Sequence, residues 1–349
     1  MAVKRINLAL QGGGAHGAFT WGVLDRLLED DELEIAGISG TSAGALNGAA
    51  LKAGLVADGA GRDRAAAKAN LDWLWGQVAG IADLRMTTWF APFAPAPAAV
   101  TQAIEMSPAF VAADTASRVI SPYAYGPFYS NPLERIVGRF EYDRVCAATG
   151  PALFVSATNV RTGKIRVFEG EEIDTGPILA SACLPTLFQA VEVTDPSTGE
   201  TDAFWDGGYT GNPALFPLFR ADLPDDVVVV NINPLVRPDL PRSAAEIQNR
   251  INEISFNSSL LRELRAIQFV RDLIAEGRVA PGTMADILIH MIADDALMRD
   301  LSVATKLVPS AVVLSRLKTA GRAAADRFLQ AHRDTLNVAA SVDLRAMFG

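Results

Sequence analysis

The 349-residue chain carries 31 Lys+Arg against 40 Asp+Glu, a net charge of −9, with no cation excess to hold nucleic acid. Half of it is hydrophobic and 20% is charged, enough to bury a core and unlike a disordered chain. Two cysteines, Cys146 and Cys183, cannot build a disulfide framework, the apolar runs fall short of membrane-spanning length, and no signal-peptide pattern precedes the first strand. A soluble, cytoplasmic globular protein of about two domains' length is expected.

Residues 6–10 form an apolar run that opens into Gln11-Gly12-Gly13-Gly14-Ala15-His16-Gly17. Phe19, Val23, Leu24, Leu27 and Leu28 then fall three or four apart, predicting a helix that ends at Glu29-Asp30-Asp31. A second apolar run, 35–38, enters Gly40-Thr41-Ser42-Ala43-Gly44, and the small-residue stretch 45–55 predicts a closely packed helix. Strand–helix–strand–helix is the pattern of a parallel sheet with right-handed crossovers. A further helix is expected over 63–78.

Between Thr87 and Pro132 seven prolines alternate with Trp89, Phe90, Phe93, Phe110, Tyr123, Tyr125, Phe128 and Tyr129. That density excludes one long helix and predicts short helices and loops that present aromatics. Residues 153–160 and 164–168 read as a hairpin about Thr162-Gly163, and 227–232 as a strand buried on both faces. Residues 203–205 lead into Asp206-Gly207-Gly208. After Pro241 the pattern turns helical over 247–275 and 307–336.

Three motifs carry chemistry. In Gly40-x-Ser42-x-Gly44, between a strand and a helix, the serine sits at a tight elbow, and the helix beginning at Ala43 turns free N–H groups toward any oxyanion nearby. In Gly12-Gly13-Gly14, backbone N–H groups can converge on an anion. A dinucleotide loop would need an acidic residue at the end of the second strand, which here runs into Gly40 and Ser42 instead, so an oxyanion hole beside the elbow is the better reading. Asp206-Gly207-Gly208 alone would be an ordinary turn.

The base is less plain. Of three histidines, His16 lies in the glycine loop, His290 in the apolar run 287–292 and His332 among charges on a helix. Ser42, Asp206 and His290 satisfy a serine–acid–histidine order, as chance also would, and a carboxylate of tuned pKa can replace the histidine.

Taken together, Gly12 to Gly17, Gly40 to Gly44 and Asp206 to Gly208, in that order, resemble the patatin-like phospholipase family. Ala180-Ser181-Ala182, with Pro185 and Phe188, resembles a further block of it. The resemblance covers about the first 210 residues. It implies a three-layer α/β/α fold with a mainly parallel sheet and a dyad of Ser42 as nucleophile and Asp206 as base. The N–H groups of Gly12, Gly13, Gly14 and Ala43 would form the oxyanion hole, with Gly17, Gly40, Gly44, Gly207 and Gly208 as motif support. The implied reaction is hydrolysis of a lipid acyl ester through an acyl-serine, with no metal and no cofactor. His16 stands where bacterial members often carry Arg or Lys, leaving it as a helper to substrate phosphate or as helix surface.

The expected organisation is a catalytic domain over 1–240, with a lid or acyl entrance at 87–132, and a helical region over 241–349 packed upon it. The expected partner is a lipid or acyl-ester substrate, with transient contact to a membrane surface and none to nucleic acid; oligomeric state stays open. An acyltransferase on the same scaffold and a non-catalytic lipid-binding protein are the alternatives.

Overall fold

A computed structural model of the chain describes residues 3–82, 97–280 and 282–348. Its eight strands, β1 (Lys4–Leu10), β2 (Leu33–Gly40), β3 (Ala152–Asn159), β4 (Ile165–Glu169), β5 (Val191–Thr194), β6 (Thr201–Asp206), β7 (Asp226–Asn231) and β8 (Leu288–Ala293), form one sheet. The order is β5-β6-β3-β2-β1-β7-β8, with β4 also paired to β3. Pairs within β3-β2-β1-β7-β8 are parallel; β3–β4, β3–β6 and β5–β6 are antiparallel.

The first helices follow the strands as their apolar spacing predicts: α1 (Gly17–Leu27), α2 (Ala43–Leu55) and α3 (Arg64–Ala82). Of the stretch 87–132, residues 87–96, with Trp89, Phe90 and Phe93, lie outside the described residues. The rest forms α4 (Pro97–Glu105), α5 (Pro108–Val119) and a 3-10 turn over Pro122–Phe128. Short helical turns α6 (Glu134–Val137) and α7 (Tyr142–Val145) lead into β3, and α8 (Thr175–Ser181) follows the β3–β4 hairpin. The long α9 (Ala244–Ala275) precedes β8; α10 (Asp295–Arg299), α11 (Val303–Leu307), α12 (Ala311–His332) and α13 (Leu344–Phe348) end the chain.

Burial alternates along the central strands. Val228 and Val230 join the core shared with α1, α2, α3 and α12, whereas Val227 and Val229 join the core with α9 and α13. The architecture is therefore three-layered, α/β/α. The last third of the chain differs from expectation: it is not helical throughout, because residues 288–293 form β8, parallel to β7 in the same sheet. Six residues centred on His290 read equally as strand or buried helix from their apolarity alone. The region 241–349 is thus built into the sheet rather than only laid upon it.

Candidate active site

The site forms where β1 and β2 end and β6 meets them. Strands β2 and β6 share one edge of β3: Gly40 is opposite Val155, and Asp206 is opposite Ala157. β6 therefore continues the line that β2 leaves, which carries Asp206 to the turn holding Ser42. Gly207 closes that approach, since a Cβ there would run into the Ser156 carbonyl.

Ser42 caps α2 with φ +55° and ψ −121°, a backbone conformation that non-glycine residues seldom adopt and that a surrounding structure must enforce. Gly44 permits it: a Cβ at that position would run into the Leu10 carbonyl oxygen. The Ser42 N–H donates to Ser181 Oγ at 2.9 Å, so the residue from α8 pins the elbow. The Ser42 hydroxyl lies close enough to the Asp206 carboxylate to favour its ionised form, and both line one cavity. Asp206 is fixed on three further sides. Its N–H donates to the Cys183 carbonyl at 2.7 Å, its Oδ1 accepts from Gly208 N–H at 2.7 Å, and its carbonyl accepts from Thr158 Oγ1 at 2.8 Å. Burial pushes its carboxyl up to about 7, against the Gly208 N–H and the Ser42 hydroxyl, which pull it down.

The glycine loop lies beside this pair. Gly12 departs from expectation, because its N–H already donates to Asn212 Oδ1 at 2.6 Å. Among the described residues, the N–H groups of Gly13, Gly14 and Ala43 have no acceptor outside their own helices. Three N–H groups of the elbow and loop, rather than four, are thus free to donate to a further acceptor.

The histidines stand apart from this chemistry. His290 Nε2 lies 3.0 Å from Asp226 Oδ1 and its Nδ1 3.1 Å from Ser341 Oγ, in the β7–β8 layer. His16 is buried rather than on a helix surface; its Nε2 contacts Thr305 Oγ1 at 2.8 Å, and burial, then the Lys306 charge, holds its pKa well below the ordinary value. His332 packs against Phe328 at the end of α12.

A cavity of about 470 Å³ opens over Ser42 and Asp206. Its walls come from the glycine loop, from Phe110 and Val111 of α5, from Leu184 and Leu187, from Gln248, Asn252 and Phe256 of α9, and from Ala304 and Lys306 of α11. Sequence reading missed Asn212, Asn233 and Lys306. Asn212 stands four residues after Gly208 and Asn233 just beyond β7, so strand ends held the signal; Lys306, on a short helix far along the chain, had none. Among the described residues no three His, Cys, Asp or Glu side chains cluster as a metal site, and no helix is long and apolar enough to cross a membrane.

The family model for patatin-like phospholipases matches residues 8–219. The chain belongs to the patatin-like phospholipase family. Membership places it among lipid acyl hydrolases in general. The match ends before α9 and α11, so the family's shared part supplies Ser42, Asp206 and the glycine loop, and the remainder supplies one wall of the cavity. Among solved structures, the chain is similar to VipD from Legionella pneumophila, at 15% identity and a TM-score of 0.41, over 94% of this chain and 67% of that one. It is also similar to the ExoU–SpcU complex of the type III secretion system of Pseudomonas aeruginosa, at 16% identity and a TM-score of 0.29, over 96% of this chain and 61% of that one. No curated protein matches the chain.

Proposed function

We propose that this patatin-like phospholipase cleaves the carboxylic esters of membrane lipids with Ser42 as nucleophile and Asp206 as the only general base. The observation that carries the reading is the Ser42 hydroxyl set beside a buried carboxylate whose pKa is lifted to about 7, the range in which a base works best at neutral pH. Asp206 takes the Ser42 proton as Oγ adds to the ester carbonyl. The Gly13, Gly14 and Ala43 N–H groups hold the resulting oxyanion, and the lipid alcohol leaves with the proton from Asp206. Water then adds to the acyl-serine, giving its proton to Asp206, and the free fatty acid departs as Ser42 is reprotonated.

The acyl chain has room among Phe110, Val111, Leu184, Leu187 and Phe256. On this reading the described part of 87–132 serves as the acyl entrance. Val111, in the cavity wall, is 50% exposed, and on α9, away from the face that lines the cavity, Ile247, Ile251 and Ile254 form one stripe at 44%, 54% and 54% exposure. Exposed apolar side chains of this kind support transient contact with a lipid surface by a protein of net negative charge.

The test is a fluorophosphonate probe on the intact protein, beside Ser42→Ala and Asp206→Asn, with the adduct located by mass spectrometry. Labelling of Ser42 that is abolished by the first substitution and strongly slowed by the second supports the dyad. Labelling that Asp206→Asn leaves at full rate sinks it.

A further inference from the structure

The short helix α11 lies directly against the glycine loop. Gly14 has φ +57°, and a Cβ there would run into the Lys306 carbonyl oxygen. The Lys306 side chain is half-buried in the cavity wall, and its Nζ donates to Asn233 Oδ1 at 2.7 Å. That bond decides how the Asn233 carboxamide is turned. With its oxygen toward the ammonium, its nitrogen must face the other way, where Nδ2 donates to the Gly12 carbonyl at 2.9 Å and to Gln11 Oε1 at 3.1 Å.

The consequence is geometric. A trans peptide holds its C=O and N–H in one plane, pointing in opposite directions. The Gly12 carbonyl and the Gly13 N–H belong to the same peptide, so fixing the carbonyl on Asn233 also fixes where the Gly13 N–H points. Asn212 holds the preceding peptide through the Gly12 N–H. The charge is equally telling. Among the described residues no carboxylate lies within ion-pair distance of Lys306. Glu253, whose charge reaches it, is engaged by Arg237 at 2.7 Å and Arg250 at 3.2 Å. Burial of the ammonium lowers its pKa to about 8. A cation that is only to stabilise the fold is better matched by an acid than by an amide.

We propose that Lys306 is a positioning residue for ester hydrolysis: through Asn233 it aims the Gly13 N–H into the cavity, and its charge, which no carboxylate pairs directly, favours the oxyanion formed there. The inference rests on the reading of the glycine loop as the oxyanion hole. It brings into the reaction a residue outside the stretch shared with the family.

Lys306→Met keeps the stem and removes both donor and charge. On a soluble short-chain ester, kcat and the rate of fluorophosphonate labelling are expected to fall about 100-fold, with KM within about threefold of the parent. Lys306→Gln keeps a donor for Asn233 and is expected to recover about tenfold of that loss. A merely structural lysine would lower the amount of folded protein without moving kcat per labelled site. Labelling of Lys306→Met at the parent rate overturns the proposal, as does Lys306→Gln behaving no better than Lys306→Met. If the parent itself leaves Ser42 unlabelled, the dyad reading has failed and this inference falls with it. A labelled parent with an unaffected Lys306→Met refutes the role of Lys306 alone.

Discussion

Asn212 Oδ1 accepts the Gly12 N–H at 2.6 Å, so the first glycine of the loop is spent on holding the loop in place rather than on substrate. Asn212→Ala would leave that buried N–H without a partner, at a cost of about 1–3 kcal/mol, and would free the loop to turn. The expected result is a folded protein with a lower melting temperature and labelling of Ser42 slowed about 100-fold. Unchanged labelling kinetics would return Gly12 to the donor set.

The raised pKa of Asp206 fixes a pH dependence of activity. As a base it must be ionised, so kcat/KM on a soluble ester is expected to climb about tenfold per unit below pH 7, and to fall again above about pH 8, where Lys306 gives up its charge. A profile flat from pH 5 to about pH 8 contradicts an aspartate base of this kind.

The same shift makes a statement about stability with the opposite slope. From about pH 4 to pH 7 the folded state keeps a proton that the unfolded chain has lost, so stability falls as pH rises through that window. Asp206→Asn removes the penalty and is expected to raise the melting temperature at pH 8, by at most about 4 kcal/mol of stability. Glu263, also lifted to about 7 by burial while accepting the Leu215 and Phe216 N–H groups at 2.9 Å, provides a control. Glu263→Gln should stabilise in the same pH range and leave the rate on soluble ester unaltered.

Much of this site is legible in the sequence because its parts are local. A strand, a tight turn and a helix can be read around Ser42, and small residues at 40 and 44 announce the close approach there. Asp206 is legible only by resemblance, since what gives it meaning is non-local: β6 following the edge of β3 that β2 vacates. Lys306 lies beyond local reading altogether, and Asn233, though just past a strand end, meets the loop only after β7 is in place. The strand at 288–293 was hidden for a related reason. A strand buried on both faces loses the alternation that marks an exposed one, and His290 within it finds its partner in Asp226, 64 residues earlier.

That pairing predicts a separation of stability from activity. His290 and Asp226 are both buried, and His290→Gln leaves the carboxylate with the Asn337 N–H at 2.7 Å but without its imidazole. A loss of about 3 kcal/mol is expected, seen as a lower urea midpoint, with Ser42 labelling of the folded fraction at the parent rate. Loss of labelling in folded His290→Gln would revive a serine–aspartate–histidine arrangement.

The last third of the chain is expected to be inseparable from the rest. α12 crosses α1 so closely that a Cβ at Gly321 would run into the Phe19 carbonyl, and one at Gly22 into that of Lys318. Around this contact Arg26 pairs with Asp326 at 3.0 Å and Arg333 with Asp30 at 2.6 Å. No side chain can move aside where backbone meets backbone, so Gly321→Ala must push the helices apart, at a cost of about 3 kcal/mol. Cutting the chain after residue 240 goes further. It strips β8 from β7, leaves an apolar strand with an open edge, and removes the α9 and α11 wall of the cavity. The shortened chain is expected to be insoluble, or soluble without labelling at Ser42. A soluble 1–240 fragment that labels at the full rate would make 241–349 an accessory, and would leave Lys306 no part in the reaction.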